Sequence, residues 1–128
     1  MRINYWKDTL EIIRVSPLTG VGLGNFNLMH SRYAHNSYLQ IWAEMGILGI
    51  ISILWLVILV FKSALKNIAE NTQKNQVVGL IAANTVFLAH NLVDFTFFLP
   101  EVALLWWIIL GLLATKESNE HSYRHPNL

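Results

Sequence analysis

The stretch Ile47-Leu-Gly-Ile-Ile-Ser-Ile-Leu-Trp-Leu-Val-Ile-Leu-Val-Phe61 contains no charged side chain. Extended back to about Tyr38, this apolar block is long enough for a helix across a bilayer, which requires about 20 residues. Of the 128 residues in the chain, 54% are hydrophobic and 13% are charged, so polar residues cannot cover a water-soluble surface. The composition predicts an integral membrane protein, and the hydrogen-bond demand of the bilayer predicts an all-α polytopic fold.

Two further apolar blocks follow the first. The block over residues 77–99 reaches spanning length, although it contains the amide and ionisable side chains of Asn84, His90, Asn91 and Asp94. The block over 100–115 is shorter and begins at Pro100, which a first helical turn tolerates. We therefore predict three transmembrane helices, at about 38–61, 77–99 and 100–115, and a disordered tail over 116–128.

Lysine placement predicts the orientation of these helices. The loop between the first two blocks carries Lys62, Lys66 and Lys74, whereas the turn around Pro100 has neither lysine nor arginine nearby. Cytoplasmic loops carry the excess of positive residues. We therefore expect residues 1–36 and the Pro100 turn to lie outside the cytoplasm, with the tail inside it.

The extracytoplasmic segment over residues 1–36 divides into a helix and a glycine-rich loop. Residues 4–15 have an amphipathic pattern near the 3.6-residue period, and Ser16-Pro17 ends it. The next stretch, Pro17-Leu-Thr-Gly-Val-Gly-Leu-Gly-Asn-Phe26, spaces its glycines two residues apart. Two interpretations stay open: a tight turn packed against the membrane helices, or a nest of backbone amides that binds phosphate.

A polar cluster around His35 and Asn36 lies directly before the first apolar helix. Unpaired backbone N–H groups at a helix N-terminus favour an anion, so this position suggests a site for a charged lipid headgroup. A histidine at the bilayer surface also titrates near neutrality and can act as a base. The alternative is that His35 only caps the helix or lies in the headgroup layer.

Three pieces of sequence occur in a specific order before the first span. They are Arg2-x-x-x-Trp6, then the 17–26 stretch, then Ala34-His-Asn-Ser-Tyr-Leu-Gln-Ile-Trp-Ala-Glu-Met-Gly-Ile-Leu-Gly49. In this order they resemble the O-antigen ligase and O-antigen polymerase superfamily, whose members are helical membrane glycosyltransferases of bacteria. The resemblance covers about the first 60 residues and continues weakly through His90-Asn-Leu-Val-Asp94.

The resemblance implies a reaction on the outer face of the bacterial cytoplasmic membrane. A glycan carried on undecaprenyl diphosphate would be transferred to an acceptor hydroxyl, either on a growing glycan or on a lipid A core sugar. The essential histidine of the family corresponds to His35, and its Arg-x-x-x-Trp arginine corresponds to Arg2. We expect no metal, no cofactor and no nucleic-acid partner.

The chemistry of the residues fits these roles. The guanidinium groups of Arg2 and Arg32 would clamp the diphosphate leaving group, since arginine presents a fixed fork of donors. Asn36 and Asp94 complete the predicted substrate-binding set, with Asp94 placed to orient His35 or to pair with an arginine. The plainer alternatives are arginines that reach to lipid headgroups, and second-span polar residues that bond between helices.

Three spans are too few to enclose a lipid-linked oligosaccharide. Members of the family are longer than this chain, which resembles their C-terminal part, so we expect no activity from it alone and count the missing N-terminal part as an expected partner. The alternative hypothesis is a non-enzymatic three-span membrane assembly subunit.

Overall fold

The computed structural model describes residues 2–28, 31–68 and 74–123, with side chains up to Ala114 except those of Arg2 and Asn67. Its helices are α1 (Arg2–Val15), α2 (Ser37–Ile68), α3 (Lys74–His90), a short 3-10 helix (Thr96–Phe98) and α4 (Pro100–Tyr123). These ranges contain no strand beyond an isolated bridge between Leu28 and Ser31. The all-α prediction is confirmed.

Helix α2 corresponds to the first predicted span. Its stretch Ser37–Lys66 is apolar and long enough to cross a membrane, and only 17% of its most apolar window is buried inside the protein. Among the described residues no other helix reaches that length and hydropathy, and the apolar part of α4, Pro100–Ala114, is shorter. The second and third spans therefore stay predictions.

The second apolar block is not one continuous helix over 77–99. Helix α3 ends at His90, and a turn and the 3-10 helix lead into α4. Asn91 causes the change, because its side-chain Oδ1 accepts a hydrogen bond from the N–H of Phe97 at 3.0 Å. Asp94 Oδ1 accepts from the N–H of Phe95 at 2.8 Å. Asparagine and aspartate side chains compete in this way with the helical backbone, so Asp94 lies in a turn and not in the helix that the sequence predicted over 77–99.

The tail also differs from its prediction. Helix α4 continues to Tyr123, so residues 116–123 are helical rather than disordered, and residues 124–128 lie outside the described residues. No glycine or proline occurs between Ala114 and Tyr123, so nothing in that segment stops the helix.

The N-terminal region folds around its own small core. Helix α1, the loop after it and the first turns of α2 share a buried cluster of five residues: Ile13, Phe26, Leu28, Ala34 and Ala43. Tyr5, Ile12, Leu39 and Trp42 pack against this cluster. The segment that precedes the membrane span is therefore a packed unit and not a loose arm.

The glycine-rich loop docks on a break in α2. Gly46 has φ 72° and ψ −174°, which interrupts the helical backbone. At this break the N–H of Ile47 donates to Pro17 O at 3.0 Å, and the N–H of Val21 donates to Ala43 O at 2.8 Å. The indole N–H of Trp42 also donates to Pro17 O, at 3.1 Å. The loop and the helix are joined backbone to backbone.

This docking decides between the two interpretations of the loop. The N–H of Gly22 donates to Glu44 O at 3.0 Å, and the N–H of Gly24 donates to Glu44 Oε2 at 3.1 Å. A Cβ on Gly20 would overlap the backbone carbonyl of Glu44. Because these amides are bonded to α2, the geometry supports a tight packed turn rather than a phosphate nest.

A second apolar cluster lies at the far end of the helices. Ala64 of α2, Val77 of α3 and Leu113 of α4 are buried together there. The two clusters thus lie toward opposite ends of α2, and the candidate site belongs to the N-terminal one.

Candidate functional site

His35 occupies a strained backbone position directly before α2. Its φ of 51° is the one positive value found for a non-glycine residue in the described chain. Histidine tolerates this left-handed conformation better than most residues. Asn36 follows as the helix cap, since its Oδ1 accepts from the N–H of Leu39 at 3.0 Å. The left-handed residue and the cap together turn the chain sharply into the helix.

Two aromatic rings hold the imidazole of His35. The Tyr5 ring of α1 stacks on it at 5.6 Å between centroids, and the Phe95 ring meets it edge-on at 5.2 Å. Tyr33 stacks in turn on Phe95 at 4.3 Å. No hydrogen bond joins the imidazole nitrogens to another residue within the ranges that the structure describes. Ring contacts fix the side chain and leave its nitrogens for another partner.

The N-terminus of α2 is closed by the turn after α3. The N–H of Ser37 lies 3.0 Å from Asn91 O and 2.9 Å from Asp94 O, and the Ser37 hydroxyl donates to Asn91 Oδ1. Asn36 Nδ2 donates to Leu92 O at 2.9 Å. The N–H of Ser37, a first-turn amide that an anion would need, is therefore bonded within the protein. These bonds place the 91–95 turn beside His35.

The structure places the two predicted arginines differently. Arg2 is the first residue of α1, and Tyr5, three residues later on the same helix, contacts His35. The first turn of α1 therefore lies beside the histidine, although the Arg2 side chain falls outside the described residues. Arg32 is exposed in the loop before His35, and no ion pair of its guanidinium occurs among the described side chains.

Asp94 has a different partner from the two that the sequence suggested. Its Oδ2 lies 3.1 Å from Nε2 of His90, one helical turn earlier, and its Oδ1 is bonded to the backbone of Phe95. The residue that it bonds, Phe95, is the one whose ring meets His35. For Asp94 and for Asn36, a substrate-binding role stays a prediction, since the structure gives each a partner inside the protein.

Gln40 and Glu44 complete the site from within α2. Both are buried, with 2% and 5% of their surfaces exposed. Their i, i+4 spacing places them on one face of the helix, and that spacing was the only signal in the sequence. The aromatic contacts of Tyr5 and Phe95 with His35 had no signal, because they join residues distant in sequence.

A separate cavity of about 370 Å³ lies between α3 and α4. It is mostly apolar, and its lining includes His90, Thr96 and Trp106. Neither His35 nor Arg32 lines it. It is distinct from the cluster around His35.

Comparison with known proteins adds one finding to this geometry. Residues 1–54 match the family model described as O-antigen ligase. That range includes α1, the docked glycine loop, His35 and the first half of α2. No curated protein and no solved structure matches the chain. The resemblance seen in the sequence is therefore confirmed over residues 1–54, which are similar to the O-antigen ligase family.

Proposed function

We propose that this chain is part of a membrane glycosyltransferase that moves a glycan from undecaprenyl diphosphate to an acceptor hydroxyl, as a ligase or a polymerase. The observation that carries the proposal is that the O-antigen ligase match over 1–54 contains both His35 and Arg2. The contact of Tyr5 with His35 brings the first turn of α1 to the histidine and supports a joint site.

In the proposed reaction His35 receives the proton of the acceptor hydroxyl. Its ring is held by aromatic faces and not by hydrogen bonds within the described chain, so a ring nitrogen is free to accept from the hydroxyl. As the acceptor oxygen bonds to the anomeric carbon, the bond from that carbon to the diphosphate breaks, and the diphosphate keeps the electron pair. Histidine is the side chain that most often performs this kind of proton transfer in enzymes.

Arg2 and Arg32 are proposed to neutralise the charge that develops on the diphosphate. A guanidinium stays charged at every relevant pH and offers two parallel donors to phosphate oxygens. Arg2 lies in the first turn of α1, the helix whose Tyr5 contacts His35, and Arg32 lies in the exposed loop three residues before the histidine.

The proposal places this site on the outer face of the bacterial inner membrane. The beginning of α2, the 91–95 turn and the start of α4 lie at the same end of the helices, which supports a common membrane face for His35, Asp94 and Pro100. We propose that α3 and α4 cross the membrane beside α2. The lysine-bearing 62–74 segment would then face the cytoplasm.

Replacement of His35 by alanine in the protein's own cells tests this function. We expect glycan transfer to fall at least about 100-fold, the usual contribution of a general base, while the protein still inserts in the membrane. Glycan ladders on gels read out the result, because loss of capped lipid indicates a ligase and loss of chain length indicates a polymerase.

His90→Ala is the matched control. This histidine lies at the same end of the helices with half its side chain exposed, and we expect it to leave transfer unchanged. Full transfer by His35→Ala would overturn the proposed enzyme and leave the assembly-subunit alternative in its place.

A further inference from the structure

Two buried side chains of α2 form a continuous line of hydrogen bonds that ends next to His35. The N–H of Gly24 donates to Glu44 Oε2 at 3.1 Å. Gln40 Nε2 donates to Glu44 Oε1, also at 3.1 Å. The N–H of Ala34 then donates to Gln40 Oε1 at 3.2 Å. We call this set, Gly24–Glu44–Gln40–Ala34, the relay.

The direction of every hydrogen bond in the relay is determined by its two ends. Both ends are backbone N–H groups, which can only donate. Gln40 must therefore turn its oxygen to Ala34 and its amide nitrogen to Glu44. Glu44 then receives a donor on each of its oxygens, which is the pattern that a carboxylate satisfies. No other residue type at position 44 of similar length accepts on both sides.

Burial of the Glu44 carboxylate carries a cost in free energy, because the charged group loses its hydration. Glu44 is only 5% exposed, and no cation among the described residues forms an ion pair with it. A buried acid without a cation is unfavourable unless hydrogen bonds compensate for lost hydration. A neutral side chain would have a smaller desolvation cost at this position. The presence of an acid therefore indicates that the hydrogen bonds of the relay are required.

The relay joins the three parts that surround the histidine. Gly24 belongs to the docked loop, Gln40 and Glu44 belong to α2, and Ala34 is fully buried directly before His35. His35 has a left-handed backbone, a conformation that persists only when its surroundings hold it. Fixing the N–H of Ala34 holds one side of that strained residue.

We infer that Glu44 and Gln40 are positioning residues that hold His35 at its place in the transfer site. The inference rests on the proposed function for its catalytic consequence, whereas the relay and its effect on His35 can be measured without any transfer reaction.

Glu44→Gln is the first test variant, because it keeps size and removes one acceptor. With glutamine at both positions 40 and 44, one donor must face another donor, whichever way the two amides are turned. Gln40→Glu has the opposite fault, since two carboxylate oxygens then face each other. Each single variant breaks the relay once.

The double variant Gln40→Glu/Glu44→Gln restores every hydrogen bond. The N–H of Gly24 would donate to the new amide oxygen at position 44, and the new amide nitrogen would donate to the carboxylate at position 40. That carboxylate would also accept from the N–H of Ala34. The pair keeps the same atoms and the same net charge, so rescue by the swap isolates the pattern of donors and acceptors.

The direct readout is the nuclear magnetic resonance of the protein in lipid nanodiscs. We expect each single variant to move the Gly24 and Ala34 amide signals and the imidazole ¹⁵N signals of His35, and the double variant to return them toward wild type. Glu101→Gln makes the same chemical change at an exposed carboxylate and should move none of them.

Transfer in the protein's own cells and membranes is the second readout. An unsatisfied buried donor should lower turnover about ten-fold in Glu44→Gln, with little change in KM for the lipid-linked donor, and the swap should recover most of it. Rates are compared per folded protein, so that a loss of stability alone does not count.

Two results would overturn the inference. One is a His35 ring signal that Glu44→Gln leaves unchanged, and the other is a double variant as impaired as the single ones in both readouts. Full transfer by His35→Ala contradicts the proposed function instead, and it leaves the resonance result for the relay intact.

Discussion

The two halves of α2 are held in place by different forces. Before Gly46 the helix carries buried polar side chains, namely Ser37, Gln40 and Glu44, and it bonds directly to the loop and to the 91–95 turn. After Gly46 its surface is a row of exposed apolar side chains, namely Leu48, Ile51, Leu54, Trp55, Ile58 and Leu59. One helix thus contains a packed polar half and an apolar half that faces outward.

The difference follows from the solvent that each half meets. Lipid chains are as apolar as leucine, so a membrane helix has no need to bury its side chains inside the protein. Where the chain meets water, each buried polar group needs a partner, and the partners determine the shape. The region with the candidate site is therefore specified by directional contacts and the span by hydropathy.

The largest loss of stability is expected at Gly46, where the two halves of α2 meet. Gly46→Ala places a Cβ at φ 72° and into overlap with Leu18 O, a backbone atom that cannot yield without undocking the loop. We expect a loss above about 4 kcal/mol in the free energy of unfolding, or failure to fold, since left-handed strain and a backbone clash combine. Denaturant unfolding in detergent micelles, followed by tryptophan fluorescence, measures it.

Gly79→Ala is the matched control for this substitution. Gly79 lies within α3, and a methyl group added there would have no atom within 4 Å, so alanine should be neutral or stabilising by up to about 1 kcal/mol. Equal losses at Gly46 and Gly79 would show that the loop does not depend on the break in α2.

A smaller loss of stability is expected at the turn that closes the N-terminus of α2. Asn91→Ala removes the acceptor for the N–H of Phe97, which is left without a partner, and removes one of two acceptors for the Ser37 hydroxyl, which keeps Asp94 O. We expect a loss of about 3 kcal/mol in the free energy of unfolding. Thr85→Ala, an exposed change that removes one bond to its own helix, should cost less than about 0.5 kcal/mol. A cost below about 1 kcal/mol for Asn91→Ala would count against the directional character of this region.

The smallest loss of stability is expected in the apolar cluster that packs against the second half of α2. Leu113→Ala opens a cavity in the cluster with Ala64 and Val77, and we expect a loss of about 2 kcal/mol, near the low end for a buried leucine. Leu104→Ala, at a side chain 62% exposed, should change the free energy of unfolding by less than about 0.5 kcal/mol. The same micelle measurement compares them, and a larger loss at Leu104 would show that this exposed face of α4 is packed against another part of the protein.

Some of the site could be predicted from the sequence because it depends on local order. The motif around His35 and Asn36 predicted a helix start there, and Asn36 is indeed the cap of α2. The end of α3 at His90 was missed, because the side chain of Asn91 binds Ser37 of another helix, and apolar periodicity carries no information on that contact. The same holds for the Phe95 ring on His35.

The amino-acid sequence by itself determined the helical class, the apolar span over α2 and the similarity of residues 1–54 to the O-antigen ligase family, because hydropathy and motif order are local properties of the chain. Only the tertiary structure decided that the glycine loop docks on a broken helix, that α3 stops at His90 and that Glu44 and Gln40 reach Ala34. These features depend on hydrogen bonds between distant residues. Their partners become known only when the helices are packed.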